Sequence, residues 1–308
     1  MVRMNESEVE FFWNSHPCGD HIVGGLHGAF ADDYEKFFTA YDTWRYRQES
    51  HIPACLDRTD WQGKKVLEIG LGQGAESEQI IRRGAHWSGM DITQESVNRV
   101  GARLAIRALP YDALRKGSAL AIPWPSDTFD LVFSHGVLHH IPDIGSGQAE
   151  IHRVLKPGGT LVAMLYARLS LNYQLSIKVV RRAALAAAYP LRRLKLLDRW
   201  PMLRQHLNNA ERAGLRRYLA IDTFTHGNTD GPLNPYTRVY SRQEVVQEFT
   251  SFELLDAYSR YMHAPPLPVH RLPAERWLGW HLWVHLRARL EPVEPAAPPP
   301  YAGEAGSP

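Results

Sequence analysis

The stretch Val66-Leu-Glu-Ile-Gly70-Leu-Gly72-Gln-Gly74 constrains this chain more than any other part of it. A short apolar run ends in a glycine-spaced turn, and Glu76 to Arg83 follows with helical periodicity. Glycine reaches backbone conformations closed to residues with a Cβ, so such a turn closes tightly and lets a ligand approach the main chain. The helix behind it presents free amides and the positive end of its dipole. His86 to Met90 reads as the next strand and leads into Asp91, twenty-one positions beyond Gly70. A carboxylate there can accept from both hydroxyls of a ribose. Together these features predict a nucleoside site. The spacing Gly-x-Gly-x-Gly departs from the Gly-x-Gly-x-x-Gly of dinucleotide sites, yet Ala75 stands where that pattern tolerates alanine. On the loop alone, a dinucleotide remains a rival ligand.

The alternation of short apolar runs and helical segments continues. Gln94 to Ala105 has helical period, Phe129 to Phe133 reads as a buried strand, Gly147 to Leu155 as a helix and Gly159 to Tyr166 as a further strand. This order predicts an α/β fold with a parallel sheet covered by helices. From about Leu169 to Leu219 the alternation gives way to helix formers rich in Leu, Ala and Arg, which predicts a helical insertion. Ser241 and Glu244 have capping-box spacing at the head of a helix running to Phe249. Phe252 to Tyr258 and Leu278 to Leu286 are expected to complete the sheet. The six prolines of Glu291 to Pro308 predict a disordered tail. The chain thus divides into an N-terminal helical cover over 1–60, a core over 61–167, a substrate-lid insertion over 168–240, a C-terminal completion of the sheet over 241–290 and the tail over 291–308.

With 308 residues, 44% of them hydrophobic, the chain can bury one large core or two smaller ones. Its 35 Lys and Arg against 33 Asp and Glu are too balanced to make nucleic acid the expected partner. The two cysteines, Cys18 and Cys55, exclude a disulfide framework. Neither a signal-peptide pattern nor an eighteen-residue apolar window is present, and a cytoplasmic protein is expected. His16, Cys18 and His21 cluster near the start, but no second group with matching spacing follows, so no metal site is expected. Between Arg168 and Arg204 stand nine Lys or Arg and one acid, Asp198. We read them as a lid whose arginines stay solvated, with a membrane-surface contact as the alternative.

Three further segments carry a resemblance to the class I S-adenosylmethionine-dependent methyltransferases, especially the subgroup related to ubiquinone and menaquinone methyltransferases. They are Ala119-Leu-Ala-Ile-Pro-Trp-Pro-Ser-Asp-Thr-Phe-Asp130, Ser134-His-Gly-Val-Leu-His-His140 and Glu150-Ile-His-Arg-Val-Leu-Lys-Pro-Gly-Gly159. With the glycine loop they fall in the family's order over roughly 63–166. The resemblance implies a Rossmann-like, seven-stranded and mostly parallel sheet whose last strand is antiparallel. It implies S-adenosylmethionine as cofactor and S-adenosylhomocysteine as its product. By the same resemblance Gly70, Gly72 and Gly74 would approach the methionine part, Asp91 would hold the ribose, Glu68 would fill the family's acidic position, and Ala119 and Leu120 would lie beside the adenine. Ile92, Ser134 and His135 complete the expected cofactor contacts. Ser118 stands where the family commonly has an Asp facing the adenine amine, and offers an uncharged acceptor instead.

A sulfonium methyl is already activated, so the protein's task is to hold a nucleophile in line with it and exclude water. His139, His140 and Tyr166 are the catalytic candidates, with His139 the favoured base because histidine titrates near neutrality. The turn-rich segment Phe224 to Tyr240 carries His226, Asp230, Tyr236 and Arg238, expected to face the acceptor together with Tyr166. Aromatic residues between Phe11 and Tyr46 are expected to cover the cofactor, with Tyr34, Tyr41 and Arg45 in reach. The leading expectation is methyl transfer to a small molecule, lipophilic or a secondary metabolite, at O, N, S or C. Its rivals are a lyase or cyclase that binds the same sulfonium and a non-catalytic member that binds membrane or RNA. The oligomeric state is left open.

Overall fold

Val66, Leu67 and Ile69 leave β1 (Lys65–Ile69) buried on both faces, as a central parallel strand must be. In the computed structural model, which describes residues 6–270 and 272–290, this strand lies inside a seven-stranded sheet. The expected proline-rich tail over 291–308 lies outside the described residues. The other strands are β2 (His86–Asp91), β3 (Ala113–Lys116), β4 (Phe129–His135), β5 (Leu155–Tyr166), β6 (Phe252–Arg260) and β7 (His281–Ala288). Their order is β3-β2-β1-β4-β5-β7-β6, with β7 antiparallel to both of its neighbours and the pairings from β3 to β5 parallel. The seven-stranded, mostly parallel sheet expected from the sequence is therefore present. β3 was not expected: Ala-Leu-Arg-Lys has no apolar run, because as an edge strand it pairs only with β2 and stays partly exposed.

Helices cover both faces. On one side α3 (Ile52–Leu56), α4 (Ala75–Arg82) and α5 (Gln94–Ile106) pack around Trp87, Trp283 and Phe133. They follow α1 (Glu6–Ser15) and α2 (Tyr34–Gln48). On the other side α6 (Ile144–Val154) and α11 (Arg242–Glu248) bury Ile144, Ile151, Val245 and Phe249 against the sheet. Local chemistry starts these helices: Thr93 and Asp143 accept backbone N–H groups at the heads of α5 and α6, and Ser241 with Glu244 forms the expected capping box on α11.

After β3 the chain crosses to the far side of β1 to form β4. This leaves a crevice outside the carboxyl ends of β1 and β4, the switch point where open α/β sheets bind ligands.

The insertion builds its own core. A π-helical turn over Asn172–Arg181 continues into α7 (Arg182–Ala188), then come α8 (Pro201–Ala213), α9 (Leu215–Tyr218) and α10 (Ile221–His226). Tyr173, Ile177, Leu185, Leu207 and Phe224 pack together and reach Tyr166 and Trp280 at the end of the sheet. The irregular run that follows is pinned there, since Tyr240 N–H donates to Tyr166 O at 2.8 Å and Arg168 N–H donates to Tyr240 O at 2.8 Å. The insertion's arginines are not all solvated. Arg181 turns inward and donates to Pro265 O at 2.9 Å and Asn228 O at 2.6 Å, because carbonyls of buried irregular backbone need donors. Among the described residues no helix is long and apolar enough to cross a membrane.

Candidate functional site

Gly70, Gly72 and Gly74 adopt φ of 79°, 53° and 77°, a region that strains residues with a Cβ. Packing adds a second demand at two of them. A Cβ on Gly70 would sit 2.1 Å from Val137 Cγ2, and one on Gly74 3.0 Å from Val100 Cγ2, whereas one on Gly72 would meet only Cys18 Cβ at 3.7 Å. Gly72 is thus the glycine left open to a ligand. Asp91 braces the loop: its Oδ2 accepts from Leu71 N–H at 2.7 Å and its Oδ1 from the amide and hydroxyl of Thr93, each at 2.8 Å. A carboxylate has about four acceptor positions, so about one remains beside these three contacts. Two buried arginines of α5 lock the loop from behind. Arg103 donates to Gln73 O at 2.8 Å while paired with Asp42 at 2.7 Å and Glu78 at 3.0 Å, and Arg99 bridges Asp20 at 2.5 Å and Gln73 Oε1 at 3.3 Å.

The crevice measures about 1060 Å³ with its mouth, room for a small molecule. Of the residues singled out from sequence, Glu68, Gly70, Gly72, Asp91, Ile92, Ala119 and His135 line it, as do Tyr41 and Arg45. Gly74, Leu120, Ser118, Ser134 and Tyr34 are not on its wall: Ser134 Oγ donates to Ile69 O at 3.0 Å, and Ser118 Oγ donates to Glu6. Glu6 does line the crevice. It brings a carboxylate from α1 to the place where Ser118 lacks one. Trp13 also lines the crevice, as expected of the aromatic residues between Phe11 and Tyr46, whereas sequence reasoning missed Glu76, which no motif marks.

Glu68 lies on the crevice floor and accepts from Trp87 Nε1 at 2.8 Å. Burial pushes its carboxyl from 4.5 up to about 8, against the hydrogen bonds of Ser77 and Trp87. In the unfolded chain the group ionises near its ordinary value. The folded state therefore holds an extra proton between those two values, and stability falls as pH rises through that window. We expect Glu68→Gln to stabilise the protein by a few kcal/mol, in order of magnitude, at pH 8, with the gain vanishing near pH 4.5. Denaturant midpoints of both proteins at the two pH values test this.

At the other end of the crevice stands His140. Its Nδ1–H donates to Tyr236 O at 2.8 Å, which fixes the tautomer and leaves a lone pair on Nε2. That Nε2 has no hydrogen-bond partner among the described residues and lies 3.4 Å from Asp230 Oδ2. Tyr166 Oη donates to the other oxygen of Asp230 at 2.7 Å. Burial and Asp230 hold the Tyr166 phenol well above its ordinary value, so it remains a donor. His139, favoured from sequence, sits differently. The 3₁₀ turn Leu138–His140 rotates successive side chains by about 120°, so His140 reaches the crevice wall while His139 turns inward against the Tyr166 ring at 3.9 Å. Burial, then the neighbouring His140, pushes His139 well below its ordinary value, and neither of its ring nitrogens has a partner among the described residues.

Of the residues expected to face the acceptor, Tyr166 and Asp230 contact His140 or each other, but none of Tyr166, His226, Asp230, Tyr236 and Arg238 lines the crevice. His226 instead accepts from Thr237 N–H at 3.1 Å and packs against Tyr236 at 5.2 Å. Arg238 points away to Glu248.

The comparisons with known proteins fit this geometry. A family model described as a methyltransferase domain matches residues 67–163. The ubiquinone biosynthesis O-methyltransferase of Thiobacillus denitrificans is 30% identical over 186 residues, 59% of this chain and 74% of that protein. The sterol 24-C-methyltransferase ERG6B of Gibberella zeae is 36% identical over 100 residues, 32% of this chain and 26% of that one. The chain spans between a quarter and about half the length of the first curated relatives it matches. Among solved structures, a chain from the complex between the Haloferax volcanii Trm112 methyltransferase activator and a methyltransferase superposes with a TM-score of 0.50 at 15% identity, covering 83% of this chain and 98% of that one. That likeness is one of fold.

Proposed function

We propose that this chain, which belongs to the class I S-adenosylmethionine-dependent methyltransferases, binds S-adenosylmethionine in the crevice and passes its methyl group to a hydroxyl oxygen of a lipophilic small molecule. The observation that carries the reading is that one crevice joins the braced glycine loop and Asp91 to His140, whose Nε2 is buried, without a hydrogen-bond partner among the described residues and 3.4 Å from Asp230 Oδ2. Asp91 suits a ribose hydroxyl, and Glu6 beside Ala119 suits the adenine amine. Arg45 and Glu76, both on the wall, offer charges opposite to the carboxylate and ammonium of the methionyl part. When bound, the cofactor supplies a methyl group already activated on a sulfonium. The chain's own work is to orient the acceptor hydroxyl, exclude water and take the proton at His140 Nε2. Asp230 stabilises the imidazolium that results, and Tyr166 keeps Asp230 aligned. Product release then returns the proton to solvent.

Two features support a lipophilic acceptor. The relatives' names point to ubiquinone biosynthesis and to a sterol. None of the insertion's residues lines the crevice, but the insertion exposes Leu191, Leu194, Leu196, Trp200 and Met202 among its arginines, a surface suited to an apolar molecule carried at a lipid surface. The deciding experiment incubates the protein with methyl-deuterated S-adenosylmethionine and an extract of its native host, followed by untargeted mass spectrometry. A labelled methyl ether in the lipid-soluble fraction, with S-adenosylhomocysteine released, is the expected result. Methylthioadenosine without a labelled acceptor would replace this reading with the lyase or cyclase one.

A further inference from the structure

The turn between α2 and α3 brings Glu49 and His51 together, and β7 delivers its first residue, His281, against them. The three sit behind the crevice wall. His135, which lines the crevice, stands edge-on to His281 with ring centres 5.7 Å apart. His51 Nε2 lies 3.1 Å from His281 Nδ1, and Glu49 Oε2 lies 3.7 Å from the same Nδ1. The ligand atoms of all three are within 4.8 Å of one another. Glu49 and His281 are 8% and 4% exposed.

No arrangement of protons satisfies these atoms. If His51 donates to His281 Nδ1, that nitrogen has no proton for Glu49. If His281 donates to His51, Glu49 Oε2 again receives nothing, because 3.7 Å is beyond a hydrogen bond. Glu49 Oε2 is a buried oxygen without a partner among the described residues. Such an orphan is costly, and more so when charged. A cation between the three atoms satisfies all of them at once.

We propose that Glu49, His51 and His281 form a binding site for a divalent first-row transition-metal ion of the zinc type. Two imidazoles with one carboxylate select such ions over calcium or magnesium, which prefer all-oxygen shells. Bonds of about 2.0–2.2 Å to a tetrahedral ion place neighbouring ligand atoms roughly 3.3 Å apart, between the two separations observed. The charge balance also favours a cation. Arg45 is the nearest positive group, and it is shared by Glu49 Oε1 and Glu76 Oε1 at 3.0 Å each, two carboxylates against one guanidinium. His135 is not a fourth ligand. Arg45 donates to its Nδ1 at 3.2 Å, so its Nε2 carries the proton. Three protein ligands leave a tetrahedral ion one position for water or another oxygen.

This site is independent of methyl transfer, so its test needs no acceptor. Untagged full-length protein, stripped with a chelator and titrated with Zn²⁺ in a calorimeter, should take up one tight equivalent. Glu49→Gln and His51→Gln should each weaken that equivalent by roughly 100-fold, more than altering an outer-shell partner does. His27→Gln, at an exposed histidine elsewhere, should keep it. Far-UV circular dichroism establishes that each variant is folded. X-ray absorption at the zinc edge of the wild-type protein, which no folding defect can confound, should show two imidazole ligands. Absence of a tight equivalent, its retention in both ligand variants, or a zinc edge without imidazoles would each overturn the proposal.

Discussion

Asp91→Ala should weaken S-adenosylmethionine binding by about 10- to 100-fold. A hydrogen bond to a charged acceptor contributes roughly 1.5–3 kcal/mol, and the one acceptor position left on Asp91 gives about one to two powers of ten for a ribose hydroxyl. The substitution has a second effect, because Asp91 also accepts from Leu71 N–H and from Thr93. Removing it leaves two buried amides unpaired and loosens the loop that Arg99 and Arg103 hold from behind. Asp91→Asn separates the two contributions. Its single amide oxygen can still brace one of those amides while the charge is gone, so its affinity should fall between the other two. Calorimetry with S-adenosylmethionine and S-adenosylhomocysteine, with the melting temperature followed in parallel, reads both effects. Binding within a few-fold of wild type in Asp91→Ala would remove the ribose from this carboxylate and with it the orientation of the ligand in the crevice.

What could be read from the sequence was what is encoded locally. β1, the glycine loop, α4 and β2 announce themselves because burial on both faces forces an apolar run and positive φ forces glycine. The α11 capping box needs only Ser241 and Glu244. Edge strand β3 was invisible because nothing buries its Leu-Arg-Lys on both sides. The reason for Gly70 was only half legible: its missing Cβ makes room for Val137, sixty-seven residues away. The choice between His139 and His140 depended on the rotation of a single 3₁₀ turn, which periodicity over three residues cannot reveal. Glu6 supplies a carboxylate beside Ser118 from 112 positions earlier, and His281 meets His51 across 230. Contacts of that separation carry no spacing signal; they come from the sheet order and from where α1 and α2 dock.

His140→Asn should lower kcat by about 100-fold or more while leaving cofactor affinity near wild type, the range that a positioned general base contributes. Asparagine can still donate to Tyr236 O but has no basic nitrogen to take the hydroxyl proton, so the loss should sit in kcat rather than in KM. The deficit should also depend on pH. Each unit of alkalinity below the acceptor's own pKa raises the ionised hydroxyl about tenfold, and an acceptor already ionised needs no base. The variant should therefore approach the wild-type rate as pH rises. Asp230→Asn removes the carboxylate 3.4 Å from Nε2 and should lower kcat by about tenfold, the size of one lost charge-assisted contact. His139→Asn should behave otherwise. Its imidazole is held neutral by burial, so its loss should change stability and leave the shape of the pH profile intact. A loss in His140→Asn that is the same at every pH would make His140 a positioning residue and send the acceptor's proton directly to water.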